Sequence, residues 1–404
     1  MVRVKTIDAL RALTMFFMIF VNDFWTLKNI PEWLKHTTAE VDGMGFSDII
    51  FPLFLFIVGL SIPLSINVRI TNGEKKRKIF KHIIQRSFAL IVMGVFMVNY
   101  ETASEYGMII SKYQWEIIMA ISIFLIWINY KKIPYLNSKA EYFLKFLGII
   151  FLIFIAVVYE GSHSGETTWM KTSWWGILGL IGWGYLFNSL IYLLLRNKTN
   201  FLFIIFLFLM FMNVQENNFF EGVPAFKVIV GASNHLFVLS GILTSIYFVK
   251  YLKNRKENLL LKILFVFSII FLVYGFVIRP SFHISKIYGS PSWVAICTAI
   301  NLFSFIILFL LVEKTNFNRF LKPIRAAGTS RDSDGVIQIQ EKLLYDKKTL
   351  DNMTDQQYFN TMGKSRYAKA KGGIINAKLG AFVEVQNRFS DRMLPGKKRT
   401  TRIY

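Results

Sequence analysis

Up to about residue 328 the chain consists of long apolar blocks separated by short stretches that carry most of the charge. A block of roughly 20 apolar residues matches the length that a helix needs to cross a bilayer, and a soluble domain has no use for so many in series. Ten such segments lie at about 7–25, 47–67, 84–99, 115–130, 142–159, 174–195, 200–213, 234–251, 258–278 and 292–312, the seventh being the shortest. With 54% hydrophobic residues and a mean hydropathy of +0.43, the chain reads as an all-α, polytopic transmembrane helix bundle of about 10 spans. The lipid bilayer is therefore its first partner.

The formal net charge is +22. In a soluble chain that balance points to nucleic acid, but here Lys and Arg concentrate in alternate loops. Arg3 and Lys5 precede the first segment, and Arg69, Lys75, Lys76, Arg77, Lys78, Lys81 and Arg86 follow the second. Lys131, Lys132 and Lys139, Arg196 and Lys198, and Lys250, Lys253, Arg255 and Lys256 mark later basic loops. The loops between are balanced or acidic, with Glu101, Glu105, Glu160, Glu166, Glu216 and Glu221. Cytoplasmic loops are the basic ones, so the N-terminus is expected in the cytoplasm and no nucleic-acid partner is expected. One loop breaks the pattern, because Arg279 and Lys286 meet no acid within it. The opening MVRVK resembles a signal-peptide start, but the apolar run continues to Phe24 with no small-residue cleavage site, so it reads as a retained helix. The single Cys297 excludes an intrachain disulfide and a Cys-cluster metal site, and no metal is expected.

The stretch from Phe20 to Pro63 departs most from a plain scaffold. It places Asn22, His36, Asp42 and Asp48 between two apolar segments, the second of which opens FSDIIFP. Ionisable groups near membrane depth are costly and mark functional sites by default. His36, His163, His235 and His283 all fall on the outer side of the expected topology, with His82 alone inside. Histidine is the side chain best suited to proton transfer near neutral pH. His36 stands out because polar residues at helix ends flank it. Pro52 should kink the second helix and free backbone groups, which implies a cavity near Asp48. Gly59 reads as a close-packing position. Asp8 and Arg11, three apart on one helix face, suit a local ion pair or, alternatively, an Arg11 turned to an anionic ligand from the cytoplasm. From about Thr329 the chain turns polar and basic, ending KKRTTRIY. This suggests a transmembrane domain over 1–328 and a tail or small cytoplasmic segment over 329–404.

The stretches IDALRALTMFFMIFVND (7–23) and WLKHTTAEVDGMGFSDIIFPLFLFIVGLSIP (33–63) resemble the heparan-α-glucosaminide N-acetyltransferase family. Further similarity runs through SKIYGSPSWVAICTAI (285–300) and LKPIRAAGTS (321–330). The resemblance implies a membrane-bound acyltransferase that moves an acetyl group from cytosolic acetyl-CoA to an extracytoplasmic amino sugar. It implies His36 as the key catalytic group, acting as general base or acetylated directly. Asn22 is then an expected donor to the acyl oxygen, and Asp48 orients the imidazole or the amine. Arg11 and Arg86 are expected to meet acetyl-CoA, while Asp42, Trp33 and His235 are expected at the amino sugar. A bacterial inner membrane is the implied location, and a homodimer is an arrangement such helices permit. Two departures stand out. The fourth segment, YQWEIIMAISIFLIWINY, lacks a Gln-Arg pair expected of the lysosomal branch, and the chain turns hydrophilic after AAGTS where the family continues with a further helix. A transporter or flippase of a sugar or cell-wall fragment is the alternative class, although the inverted repeat it calls for has no clear trace, and an inactive truncated family member is a third.

Overall fold

The computed structural model describes residues 5–24, 27–104, 107–128, 130, 136–163, 166–196, 198–217, 227–314, 382–385 and 399–402. Ten helices follow in order: α1 (Lys5–Asn22), α2 (Ser47–Thr71), α3 (Lys76–Glu101), α4 (Lys112–Trp127), α5 (Ser138–Val157), α6 (Gly176–Leu195), α7 (Thr199–Glu216), α8 (Ala232–Lys253), α9 (Glu257–Ile278) and α10 (Pro291–Phe309). A π-helical turn, Leu310–Lys314, extends α10. Two small antiparallel hairpins complete the described structure: β1 (Gly161–His163) with β2 (Glu166–Thr168), and β3 (Phe382–Val385) with β4 (Arg399–Arg402). Beyond β3 and β4, the 329–404 tail lies outside the described residues, as do the 321–330 run, Glu105, Lys131, Lys132 and Glu221.

Each apolar segment of the sequence is a helix, so the chain is an all-α membrane bundle. Eight of the helices are long and apolar enough to cross a membrane. The other two are α4, which has 16 residues, and α1, which carries Lys5, Asp8 and Arg11 within its 18. The seventh segment proves longer than its apolar run, because its last turn is polar but paired. Asn213 Nδ2 donates to Gly289 O at 2.8 Å, and Glu216 accepts from the Val228 and Ala232 amides at 2.7 and 2.8 Å. Local sequence sets several starts. Ser111 and Gln114 form a capping box on α4. Ser290 caps α10, with Pro291 in the first turn where no amide is needed.

The bundle has an inner layer and a lipid-facing layer. In α2, α8 and α10, 67% of the most apolar window is buried, against 17% in α5 and 22% in α9. The outward faces of the peripheral helices carry large apolar side chains such as Phe146, Phe208 and Phe276, as lipid contact requires. At the centre, α2 and α8 meet backbone to backbone: a Cβ on Gly59 would overlap the Val238 carbonyl, and one on Gly241 would overlap that of Phe56. Small residues permit this approach, and dispersion and packing drive it in lipid, where the hydrophobic effect between helices is absent. Gly59 is thus a close-packing position, as its setting in FIVGLS suggests. Pro52 and Pro63 lie inside α2 without ending it, and Asn301 of α10 donates to Pro52 O at 3.4 Å.

Candidate active site

The site forms where the α1–α2 loop meets the α9–α10 loop. Within the first, Phe46 N–H donates to Trp33 O at 2.8 Å and Ser47 Oγ donates to Leu34 O at 2.6 Å. Gly45 is needed because a Cβ there would overlap the Lys35 carbonyl. These contacts fold the loop back over the start of α2 and place His36 beside Asp48. Asp48 sits in the first turn of α2, where the helix dipole favours an acid. Its Oδ2 accepts from the Thr37 amide at 3.1 Å and the Gly45 amide at 3.0 Å. Its Oδ1 lies 2.7 Å from His36 Nδ1.

That last distance fixes the tautomer. A carboxylate oxygen and a ring nitrogen at 2.7 Å repel unless a proton lies between them, so Nδ1 carries the hydrogen and donates it. In the neutral ring the lone pair is then on Nε2. The His36 side chain is 48% exposed and Asp48 only 1%, so a fixed, buried carboxylate orients an imidazole whose other edge is open. Asp48 itself is enclosed, with the Thr37 and Gly45 amides and the His36 ring as its partners.

The second loop completes the arrangement. Asp42 Oδ2 accepts from Arg279 Nε at 2.9 Å, Asp42 Oδ1 accepts from the Ile284 amide at 2.7 Å, and Gly43 N–H donates to Ile284 O at 3.0 Å. His283 Nδ1 lies 3.4 Å from Asp42 Oδ2. Burial raises the Asp42 carboxyl, but the donors from Ile284, Arg279 and His283 outweigh it and hold the group below its ordinary range. Lys286 Nζ lies 3.1 Å from His36 Nδ1 and 3.7 Å from Asp48 Oδ1. Burial draws its ammonium below the usual lysine range, with the Asp48 charge opposing. The two cations that break the loop-charge pattern are therefore each matched to an acid, supplied by the other loop.

The remaining candidate residues scatter. Trp33 is exposed on a short 3-10 turn three residues before His36 and can meet a ligand at its ring. Asn22 is exposed at the end of α1, and no hydrogen bond links it to His36. His235 is buried in α8, with Nε2 donating to Ile229 O at 2.9 Å and Nδ1 accepting from Asn188 at 3.2 Å, so both ring nitrogens are spent on packing. Arg11 donates to Ser61 Oγ at 2.9 Å and pairs with Asp8 at 3.6 Å. Arg86 lies over the Tyr185 ring, 5.1 Å from its centroid. His163 is in β1, and its side chain is outside the described residues. Lys286 was missed as a site residue, although its place as an unmatched cation in an outer loop was a signal. Among the described residues, no group of three His, Cys, Asp or Glu side chains is placed to hold a metal.

A cavity of about 370 Å³ opens at the far ends of α2, α6 and α8. Asn67, Thr71, Tyr192, Ser245, Arg196, Lys250 and Lys253 contribute to its wall. Asn67 Nδ2 donates to Tyr192 OH at 2.9 Å across it. Asp48 and Asn67 stand about 28 Å apart along α2 at the usual helical rise, close to the roughly 30 Å hydrocarbon thickness of a bilayer.

A family model described as heparan-alpha-glucosaminide N-acetyltransferase, catalytic, matches residues 3–113, which contain His36, Asp42 and Asp48. The heparan-alpha-glucosaminide N-acetyltransferase of Mus musculus is 36% identical over 101 residues, and that of Homo sapiens 34% over 101 residues. Each alignment covers 24% of this chain and 14% of the relative, so the chain matches only a small part of the length of these curated relatives. The similarity to the heparan-alpha-glucosaminide N-acetyltransferase catalytic family thus lies in residues 3–113, the segment that holds the His36–Asp48 pair.

Proposed function

We propose that this protein transfers an acetyl group from acetyl-CoA, bound at the cytoplasmic face, to the amine of an extracytoplasmic amino sugar, with His36 at the centre of the reaction. One observation carries the reading: Asp48 holds Nδ1–H of His36 at 2.7 Å and leaves the Nε2 lone pair facing an open edge. In a direct transfer, that lone pair takes the proton of the attacking amine as its nitrogen bonds to the acyl carbon, and the carbon–sulfur bond breaks to release the CoA thiol. In a two-step transfer, Nε2 itself takes the acyl group and passes it to the amine. Both routes draw on the same tautomer.

The basic cavity at the opposite end of α2 supports entry of the phosphate-bearing donor from the cytoplasmic face, since Arg196, Lys250 and Lys253 stand on its wall. It is a better placed donor site than Arg11 and Arg86, neither of which lines it. The N-terminus is then cytoplasmic, and the membrane is a bacterial plasma membrane. Labelled acetyl-CoA and glucosamine, incubated with protein purified in detergent, test the assignment. Wild type is expected to transfer label and His36→Ala to lose at least about 100-fold in rate. Equal rates in the two proteins overturn it. Recovery of acetylated His36 peptide when the amine is withheld would identify the two-step route.

A further inference from the structure

We propose that Lys286 is a third member of the His36–Asp48 centre, a positioning residue whose cationic amine acts on Nδ1 and keeps the Nε2 lone pair of His36 available. This deepens the acyltransferase reading and rests on it for its purpose, although not for its test. The geometry is specific. Nδ1 has a single direction in the ring plane for a hydrogen, and Asp48 Oδ1 at 2.7 Å takes it. Lys286 Nζ, 3.1 Å from the same nitrogen, thus cannot donate to it and acts as a charge beside it. It also stands 3.7 Å from Asp48 Oδ1 and so offsets the carboxylate.

A carboxylate alone beside an imidazole favours the charged ring, which has no lone pair to attack or to accept a proton. A cation at the same edge disfavours it. The pair of opposite charges therefore supplies orientation from Asp48 without surrendering the neutral ring. The other charged groups near His36 leave this balance to Lys286. Lys35 pairs with Glu32 at 2.6 Å on the same loop. Arg279 and His283 are taken up by Asp42 on the two loops. From α10, the buried Cys297 lies within electrostatic reach of both Asp48 and Lys286.

Diethyl pyrocarbonate provides the test, because it acylates an imidazole only in its uncharged form and needs no substrate. The rate of His36 carbethoxylation is followed against pH by peptide mass spectrometry in detergent-purified wild type, Lys286→Met, Lys286→Gln and Lys286→Arg. Both neutral variants are expected to shift the midpoint upward by about one pH unit or more, and the arginine variant is expected to return it towards wild type. A midpoint shared by wild type and whichever neutral variant elutes as a folded, monodisperse species overturns the proposal. An upward shift that Lys286→Arg fails to reverse overturns it equally, since charge would then not be the cause. If the midpoints move as stated but no acetyl transfer is found, it is the acyltransferase reading that fails, and the three-residue centre stands.

Discussion

At the scale of single residues, the centre combines a part that the sequence exposes and a part that it hides. His36 and Asp48 lie twelve positions apart, around the start of one helix, so their proximity follows from local chain reversal. Lys286 is 250 residues from His36, and no periodicity or spacing links the two. His235 misled in the opposite way: its place at an outer helix mouth fits a ligand contact, yet burial and two hydrogen bonds make it a core residue. Asp42, expected at the amino sugar, spends its oxygens on Arg279 and Ile284 and joins the two loops. Its carboxyl is held below the usual range, so its contribution to stability is complete above the ordinary carboxylate pKa near 4 and is lost as pH falls through the lowered value. Asp42→Asn is expected to lower stability by about 1 kcal/mol or less at neutral pH, since the pair is partly solvated. Thermal unfolding of both proteins between pH 7 and 3 checks this: the difference should hold steady down to about pH 4 and vanish below it. A difference that grows on acidification would refute the assignment.

At the scale of elements, hydropathy located every helix but not every end. It placed the start of α3 near residue 84, whereas the helix begins at Lys76. Lys76, Arg77, Lys78 and Lys81 are good helix formers that stand exposed, so the helix outruns its greasy core. The polar end of α7 was missed for a related reason, because paired Asn and Glu side chains are indistinguishable in sequence from a loop. Where two backbones touch, composition is a better guide, and Gly59 is the case in point. Gly59→Val must push α2 away from α8 or distort both, and is expected to cost about 3 kcal/mol or more. Gly43, where an added Cβ meets nothing within 4 Å, is the control. Gly43→Ala should change stability by about 0.5 kcal/mol or less. Tryptophan fluorescence melts in detergent compare the two, and similar melting temperatures would show that the α2–α8 contact yields easily.

At the scale of the whole molecule, α2 carries Asp48 of the His36 centre at one end and lines the basic cavity, with α6 and α8, at the other, so orientation in the membrane decides which side each site faces. An impermeant maleimide reports it. In intact cells Glu40→Cys should label and Lys76→Cys should not, and permeabilisation should expose the second; Cys297 is buried and stays silent. The reverse pattern would invert the orientation and put the centre on the cytoplasmic side. The joining of the two distant loops also has a consequence in time. A ribosome adds roughly 5–20 residues per second, so the lysine that completes the centre follows His36, 250 residues earlier, by about 12–50 s. Through that interval the nascent chain displays the histidine and its acid without the balancing charge and without Arg279 to pin the loop. The three-residue centre thus exists only once α9 and the loop to α10 have been made, and a chain that stalls earlier holds the histidine and its acid alone.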